Sequence, residues 1–154
     1  MLYKGFNMSG IVCAVRGGPD SKPTINKSIE LAKLTDLTIH FLYVVDLDFL
    51  THSSSSRVAT ITTEMDQMGE FILLVAQEKA ESQNITADGS VRHGKVRDEI
   101  ISFCREIQAD YVILGQPQTR REENVFTRDL LQKFVDRVEE ESGAKVVLAP
   151  RSDD

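Results

Sequence analysis

Short apolar runs alternate with longer stretches in which apolar residues recur every three or four positions. Ile11 to Val15 (IVCAV) is the first run, and its β-branched residues predict a strand. Gly17, Gly18 and Pro19 break it. Asp20 or Ser21 can cap the helix that follows. Pro23 fits the first turn, where its missing N–H has no intrahelical partner. Ile25, Ile29 and Ala32 give that helix an apolar face, and it runs to about Leu34. Residues 37–45 (LTIHFLYVV) predict a second strand closed by Asp46. Its continuous apolar end fits a sheet interior covered on both faces.

The four serines at 53–56 carry neither period and read as a mobile loop or a helix lead-in. Residues 58–83 predict a long helix, with Ile61, Met65, Met68, Ile72, Val75 and Ala76 at spacings of three and four. Phe71, Leu73 and Leu74 widen its apolar face, which a second packing partner would explain. Residues 86–92 are polar, contain Gly89, and read as a short edge strand ended by Gly94. A helix over 96–107 buries Val96, Ile100, Ile101, Cys104 and Ile107. YVILG at 111–115 is the clearest buried strand, and a polar loop follows from Gln116 to about Asn124. The last helix, 127–141, buries Leu130, Leu131, Phe134 and Val138, with Thr127 as its cap. KVVLA at 145–149 is the final strand, ended by Pro150. Strands alternating with helices in this way predict right-handed crossovers and a mainly parallel sheet with helices on both faces.

Composition narrows the function classes. A chain of 154 residues is the size of one domain and needs no metal or disulfide to hold a core. Its net charge of −6 repels nucleic acid and anionic membranes over most of the surface. Cys13 and Cys104 lie in apolar segments outside any C-x-x-C pair, which fits small buried hydrophobes in a reducing compartment. No apolar run approaches a membrane span and no signal-peptide pattern opens the chain, so the expected location is cytoplasmic. His40, His52 and His93 are too far apart to suggest a metal site, and no nucleophile-elbow, zincin or full P-loop pattern is present. A catalytic role for His93 would need a partner carboxylate or nucleophile that the sequence does not supply nearby.

Four segments in order carry a family resemblance: IVCAVRGGPDS, HFLYVVD, VRHGKVRDEIISFCREIQADYVILG and GAKVVLAP. Together, over residues 10–150, they resemble the universal stress protein family. The resemblance implies one domain with an open, Rossmann-like, adenine nucleotide alpha hydrolase-like sheet, five-stranded in the order 3-2-1-4-5. It also implies a stress-response or regulatory role, usually without turnover, in a dimer often formed through the last strand. One branch of the family binds ATP or AMP, and another, the UspA-like branch, does not.

The nucleotide-binding branch has Asp after the first strand, where this chain has Arg16, then Gly17 and Gly18. Val44 holds the place of a small or apolar residue near the end of strand two. After strand four the branch has Gly, two residues, Gly, nine residues, Gly, then Ser or Thr. Leu114 and Gly115 match its start, but Gln118, Arg128 and Asp129 stand at the later positions. Glycines there let backbone N–H groups approach phosphates, and side chains at 118 and 128 obstruct that cradle. The expectation is therefore a divergent, non-catalytic homodimer that pairs through 145–149, with no cofactor, metal, nucleic acid or membrane and an unidentified protein partner. The alternative is a degenerate module holding AMP, ATP or another anion through Arg16, Gly17, Val44, Leu114, Gly115 and Arg128. Arg16 has two readings, an anion contact or a salt bridge to Asp46 or Asp20; it cannot replace an acceptor, since guanidinium only donates. A response-regulator-like phosphoacceptor fits poorly, because strand one ends in Arg16 and not a carboxylate.

Overall fold

The computed structural model describes residues 9–16, 21–46, 55–116 and 125–151. The elements are β1 (Ile11–Ala14), α1 (Lys22–Thr35), β2 (Ile39–Asp46), α2 (Ser55–Glu81), β3 (Ala87–Gly94), α3 (Val96–Ile107), β4 (Tyr111–Leu114), α4 (Val125–Ser142) and β5 (Lys145–Leu148). All neighbouring strands are parallel and lie in the order β3-β2-β1-β4-β5. The alternation of strands and helices is the one expected from the pattern, and the strand order is the one the family resemblance implies.

The continuous apolar runs have a direct physical cause. Side chains alternate faces along a strand, and both faces here are covered. Ile11, Cys13 and Val15 join a core with Ile25, Ile29 and Ala32 of α1 and Leu73, Ala76 and Ala80 of α2. Val12 and Leu42 join a second core with Ile100, Cys104 and Ile107 of α3 and Phe134 and Val138 of α4. Val112 and Leu114 of β4 face that same second core.

Helix ends follow local chemistry. Pro23 sits in the first turn of α1, and Asp36 ends that helix in the left-handed conformation, its N–H donating to the Ala32 carbonyl. Ser21 holds the cap position of α1 without bonding into the helix. Instead its hydroxyl accepts from the Arg16 N–H at 3.0 Å and donates to the Arg16 carbonyl. The β1–α1 connection is thereby pinned at its two ends. Asp98 and Glu99 lie in the first turn of α3, where carboxylates complement the helix dipole.

Several side-chain assignments need correction. Helix α2 takes in Ser55 and Ser56, so only 53 and 54 of the serine run lie outside the described residues. Its core face is Gly69, Leu73, Ala76 and Ala80, with Met65 and Ile72 at the margin. Met68 and Val75 were expected on that face and are exposed, as are Phe71 and Leu74. The sheet meets only a narrow part of this 27-residue helix, so the apolar content exceeds what the core takes. Val96 and Leu130 are likewise exposed and not buried. Thr127 is not the cap, because α4 begins two residues earlier at Val125. His52 lies outside the described residues.

No helix among the described residues is long and apolar enough to cross a membrane.

Candidate functional site

The sheet order reverses between β1 and β4, whose connections leave in opposite directions. Open α/β sheets bind ligands at the carboxyl ends of the strands beside such a point. A cavity of about 450 Å³ lies there, between α3 and α4. Ala14, Val15 and Arg16 of β1 and its exit line it, with Leu42, Tyr43 and Val44 of β2 and Leu114 and Gly115 of β4. The helices add Val96, Arg97 and Ile100 from α3, and Leu131 and Phe134 from α4.

Strand parity explains which side chains enter. Ala14, Leu42, Val44 and Leu114 all pack on the α3–α4 core. Tyr43 belongs to the other core, its ring lying against Gly69 of α2, so it meets the cavity through its backbone. Arg16 is two residues beyond Ala14 and so returns to the cavity face. Leu42, Ile100, Leu114 and Phe134 are buried and form the floor, while Arg16, Val96 and Arg97 are exposed and form the rim. The Arg97 guanidinium lies 5.2 Å from the centroid of the Phe134 ring. That cation–π contact holds the charge on the cavity wall.

Four residues singled out by sequence therefore converge: Arg16, Val44, Leu114 and Gly115. Gly17, Gln118 and the rest of 117–124 lie outside the described residues. Arg128 is on the first turn of α4, exposed, and is not among the residues lining the cavity. A Cβ on Gly115 would come within 3.3 Å of Thr24 Oγ1, so α1 packs tightly against the end of β4. Gln116 donates through Nε2 to the Ala149 carbonyl at 2.7 Å and ties the same corner to β5.

Arg97 was missed. Its signal was present, because 97, 100, 101 and 104 follow the helical spacing of the buried side. A charged residue at the exposed end of an apolar stripe marks a rim. Asp46 ends β2 opposite Gly94 of β3 and is not among the residues lining the cavity.

The two described histidines lie on the β2–β3 side of the sheet. His40 Nδ1 donates to Asp88 Oδ1 at 2.8 Å, a direct cross-strand pair in the β2–β3 register that gives this imidazole a structural role. For His93 the sequence supplies no carboxylate nearby. The residue lies on the edge strand, and its Nε2 donates to Asp66 Oδ1 of α2 at 2.6 Å. Asp66 is 27 residues away in sequence, so only the fold brings the pair together.

Burial pushes the Cys13 thiol up to about 12, a hydrogen bond from Ser28 opposing the shift, and burial alone pushes Cys104 up to about 12. Neither is a thiolate nucleophile at neutral pH. Both thiols are therefore expected to resist a disulfide reagent in the native protein and to react fully once it is unfolded. Fast reaction of either in the native state would contradict their burial. The sign for stability follows from linkage: the folded state keeps both protons where the unfolded chain loses them. Their contribution is fully present below about pH 9 and is lost as pH rises towards about 12.

The family model for the universal stress protein family matches residues 8–148. Among solved structures, the universal stress protein UspA from Lactobacillus plantarum is similar with a TM-score of 0.74 at 12% identity, over 94% of this chain and 99% of that one. A universal stress protein family member from Burkholderia pseudomallei gives a TM-score of 0.66 at 18% identity, over 93% of this chain and 97% of that one. The universal stress protein from Archaeoglobus fulgidus, in complex with dAMP, gives 0.59 at 13% identity, over 92% and 98%. No curated protein matches the chain by sequence.

Proposed function

The chain belongs to the universal stress protein family, and from that premise we propose that it is a non-catalytic regulatory protein of the stress response, acting as a homodimer paired through β5. The observation that carries the dimer is the state of that strand. β5 is the last in the sheet order and pairs with β4 on one side. Leu148 is exposed, and Val146 and Val147 are partly so. Natural proteins seldom leave an apolar edge strand uncovered, and a two-fold axis beside β5 would pair it with its own copy. One outward group is already engaged: the Val146 N–H donates to Glu139 Oε2 at 3.0 Å. That carboxylate is exposed, so exchanging it for a strand partner costs little.

Sedimentation at micromolar concentration is expected to show a species of twice the 17.3 kDa chain mass. Leu148→Glu places a charge beside its own copy in a two-fold pair and should raise the dimer dissociation constant at least about tenfold. A wild-type monomer well above micromolar concentration would sink this reading.

A second reading is favoured by the cavity: the protein holds an anion at the switch point. Arg16 and Arg97 both present guanidinium groups to one opening. The dAMP-bound neighbour makes a nucleotide one candidate. A ligand that binds only the folded state must raise apparent stability. Thermal unfolding with millimolar AMP, ATP and magnesium, at fixed protein concentration, tests the nucleotide form of this reading.

A further inference from the structure

We infer that the cavity between α3 and α4 takes an amphipathic carboxylate, its aliphatic chain on the Leu42–Ile100–Leu114–Phe134 floor and its head group met by Arg16 and Arg97 at the rim. This inference rests on the anion-binding reading and names the chemistry of the anion. Three observations select an acyl-type acid over a nucleotide.

The first is charge. Among the described residues, Arg16 and Arg97 are the charged ones in the lining, and both are cationic. Among the described residues neither is paired with a carboxylate. Nearby acids on α3 are engaged elsewhere, Asp98 with Arg137 at 2.8 Å and Glu99 with Arg92 at 2.9 Å. Two guanidinium groups suit one carboxylate, which accepts through both oxygens. A triphosphate carries several charges into a protein whose net charge is already −6.

The second is the wall chemistry. A ribose and a base present hydroxyl and amino donors, and no described side chain in the lining accepts from them, since guanidinium only donates. The side chains entering from Ala14, Leu42, Val44, Val96, Ile100, Leu114, Leu131 and Phe134 are hydrocarbon. Such walls favour methylene groups, each worth about fourfold in affinity when fully buried.

The third is shape. The floor is buried and the rim exposed, so the cavity is polarised from an apolar end to a cationic end. An amphipathic acid has that same polarity. A volume of about 450 Å³ also falls in the range of small-molecule sites.

Calorimetric titration of the full chain with butanoate, hexanoate and octanoate, beside octanol, AMP and inorganic phosphate, tests this. Affinity should rise about fourfold per methylene, and octanol should bind at least about tenfold more weakly than octanoate, since it lacks the charge-assisted hydrogen bonds. Arg97→Gln should weaken octanoate about tenfold or more for the same reason. Val96→Glu sits at an exposed rim position and should abolish octanoate binding by like charge while leaving the unfolding temperature unchanged.

Affinity independent of chain length, or octanol equal to octanoate, would overturn the inference. So would octanoate binding that survives Val96→Glu, because the exposed Met68 and Phe71 face of α2 would then be the site. Tighter binding of AMP or phosphate than of octanoate would leave the anion reading standing and remove this one. If none of the anions binds, both fall. Sedimentation of the same samples judges the homodimer separately: a monomer that binds octanoate overturns only the dimer.

Discussion

Phe41→Ala should cost about 3–5 kcal/mol of stability and lower the unfolding temperature by roughly 10 °C. Phe71→Ala should change stability by no more than about 0.5 kcal/mol. The two residues look alike in sequence, since each sits among apolar neighbours in a strongly patterned element. Their surroundings differ completely. Phe41 is wholly buried in β2, opposite Cys13 of β1 on one side and Gly89 of β3 on the other. Its ring packs in the core shared by α1 and α2. Truncation there removes the transfer free energy of the ring and leaves a void that a strand held on both sides cannot close. Phe71 is 66% exposed on α2, so little area leaves water when the chain folds. Equilibrium urea unfolding of the two variants measures the contrast. Comparable losses for both would mean that the outer face of α2 is covered in solution.

That contrast also shows where pattern reading works and where it stops. Strand runs such as IVCAV and HFLYVV were legible because covering both faces of a parallel sheet demands apolar residues at every position. The strand order came from resemblance to a family and not from periodicity, which says nothing about neighbours across the sheet. Helix α2 was harder. Ile61, Met65, Met68, Ile72 and Val75 satisfy a helical period as well as the true core positions do. Which face wins is decided by Gly69, whose missing side chain lets the helix lie against the Tyr43 ring, with a built Cβ only 2.5 Å from Tyr43 Cδ1. A glycine in a helical pattern reads locally as a weakness, and its packing role appears only with the strand beside it.

The candidate site divides in the same way. Arg16 was legible because it ends the first strand, and Val44, Leu114 and Gly115 because the family resemblance pointed to them; topology brings all four to one crevice. Arg97, Leu131 and Phe134 come from helices, and their convergence depends on how α3 and α4 cross the sheet. The His93–Asp66 and Arg92–Glu106 pairs likewise join elements that no local spacing connects.

Gly94→Ala is expected to cost about 2–4 kcal/mol, from backbone strain and a steric clash acting together. Gly94 has φ of 149°, where an L residue is strained, and its built Cβ lies 2.8 Å from Glu99 Oε2. Glu99 cannot move freely, because Oε1 accepts from Arg92 Nε at 2.9 Å. The Arg92 guanidinium is itself held by Glu106 and lies 5.6 Å from the centroid of the Phe103 ring. The added methyl therefore pushes on a network, not on a loose side chain. Gly143→Ala separates the two contributions. Gly143 has φ of 79° and nothing within 4 Å of a built Cβ, so that variant carries strain without collision and should cost about 1–2 kcal/mol. Placing Gly94→Ala in a Glu99→Ala background should recover the difference, since the colliding carboxylate is gone. An equal cost of Gly94→Ala in both backgrounds would mean that strain alone acts. The change also reaches the cavity. Gly94 sets the entry angle of α3, and Val96 and Arg97 on its first turn form the rim. Carboxylate affinity should therefore fall in Gly94→Ala and return in the double variant, while Gly143→Ala leaves it unchanged.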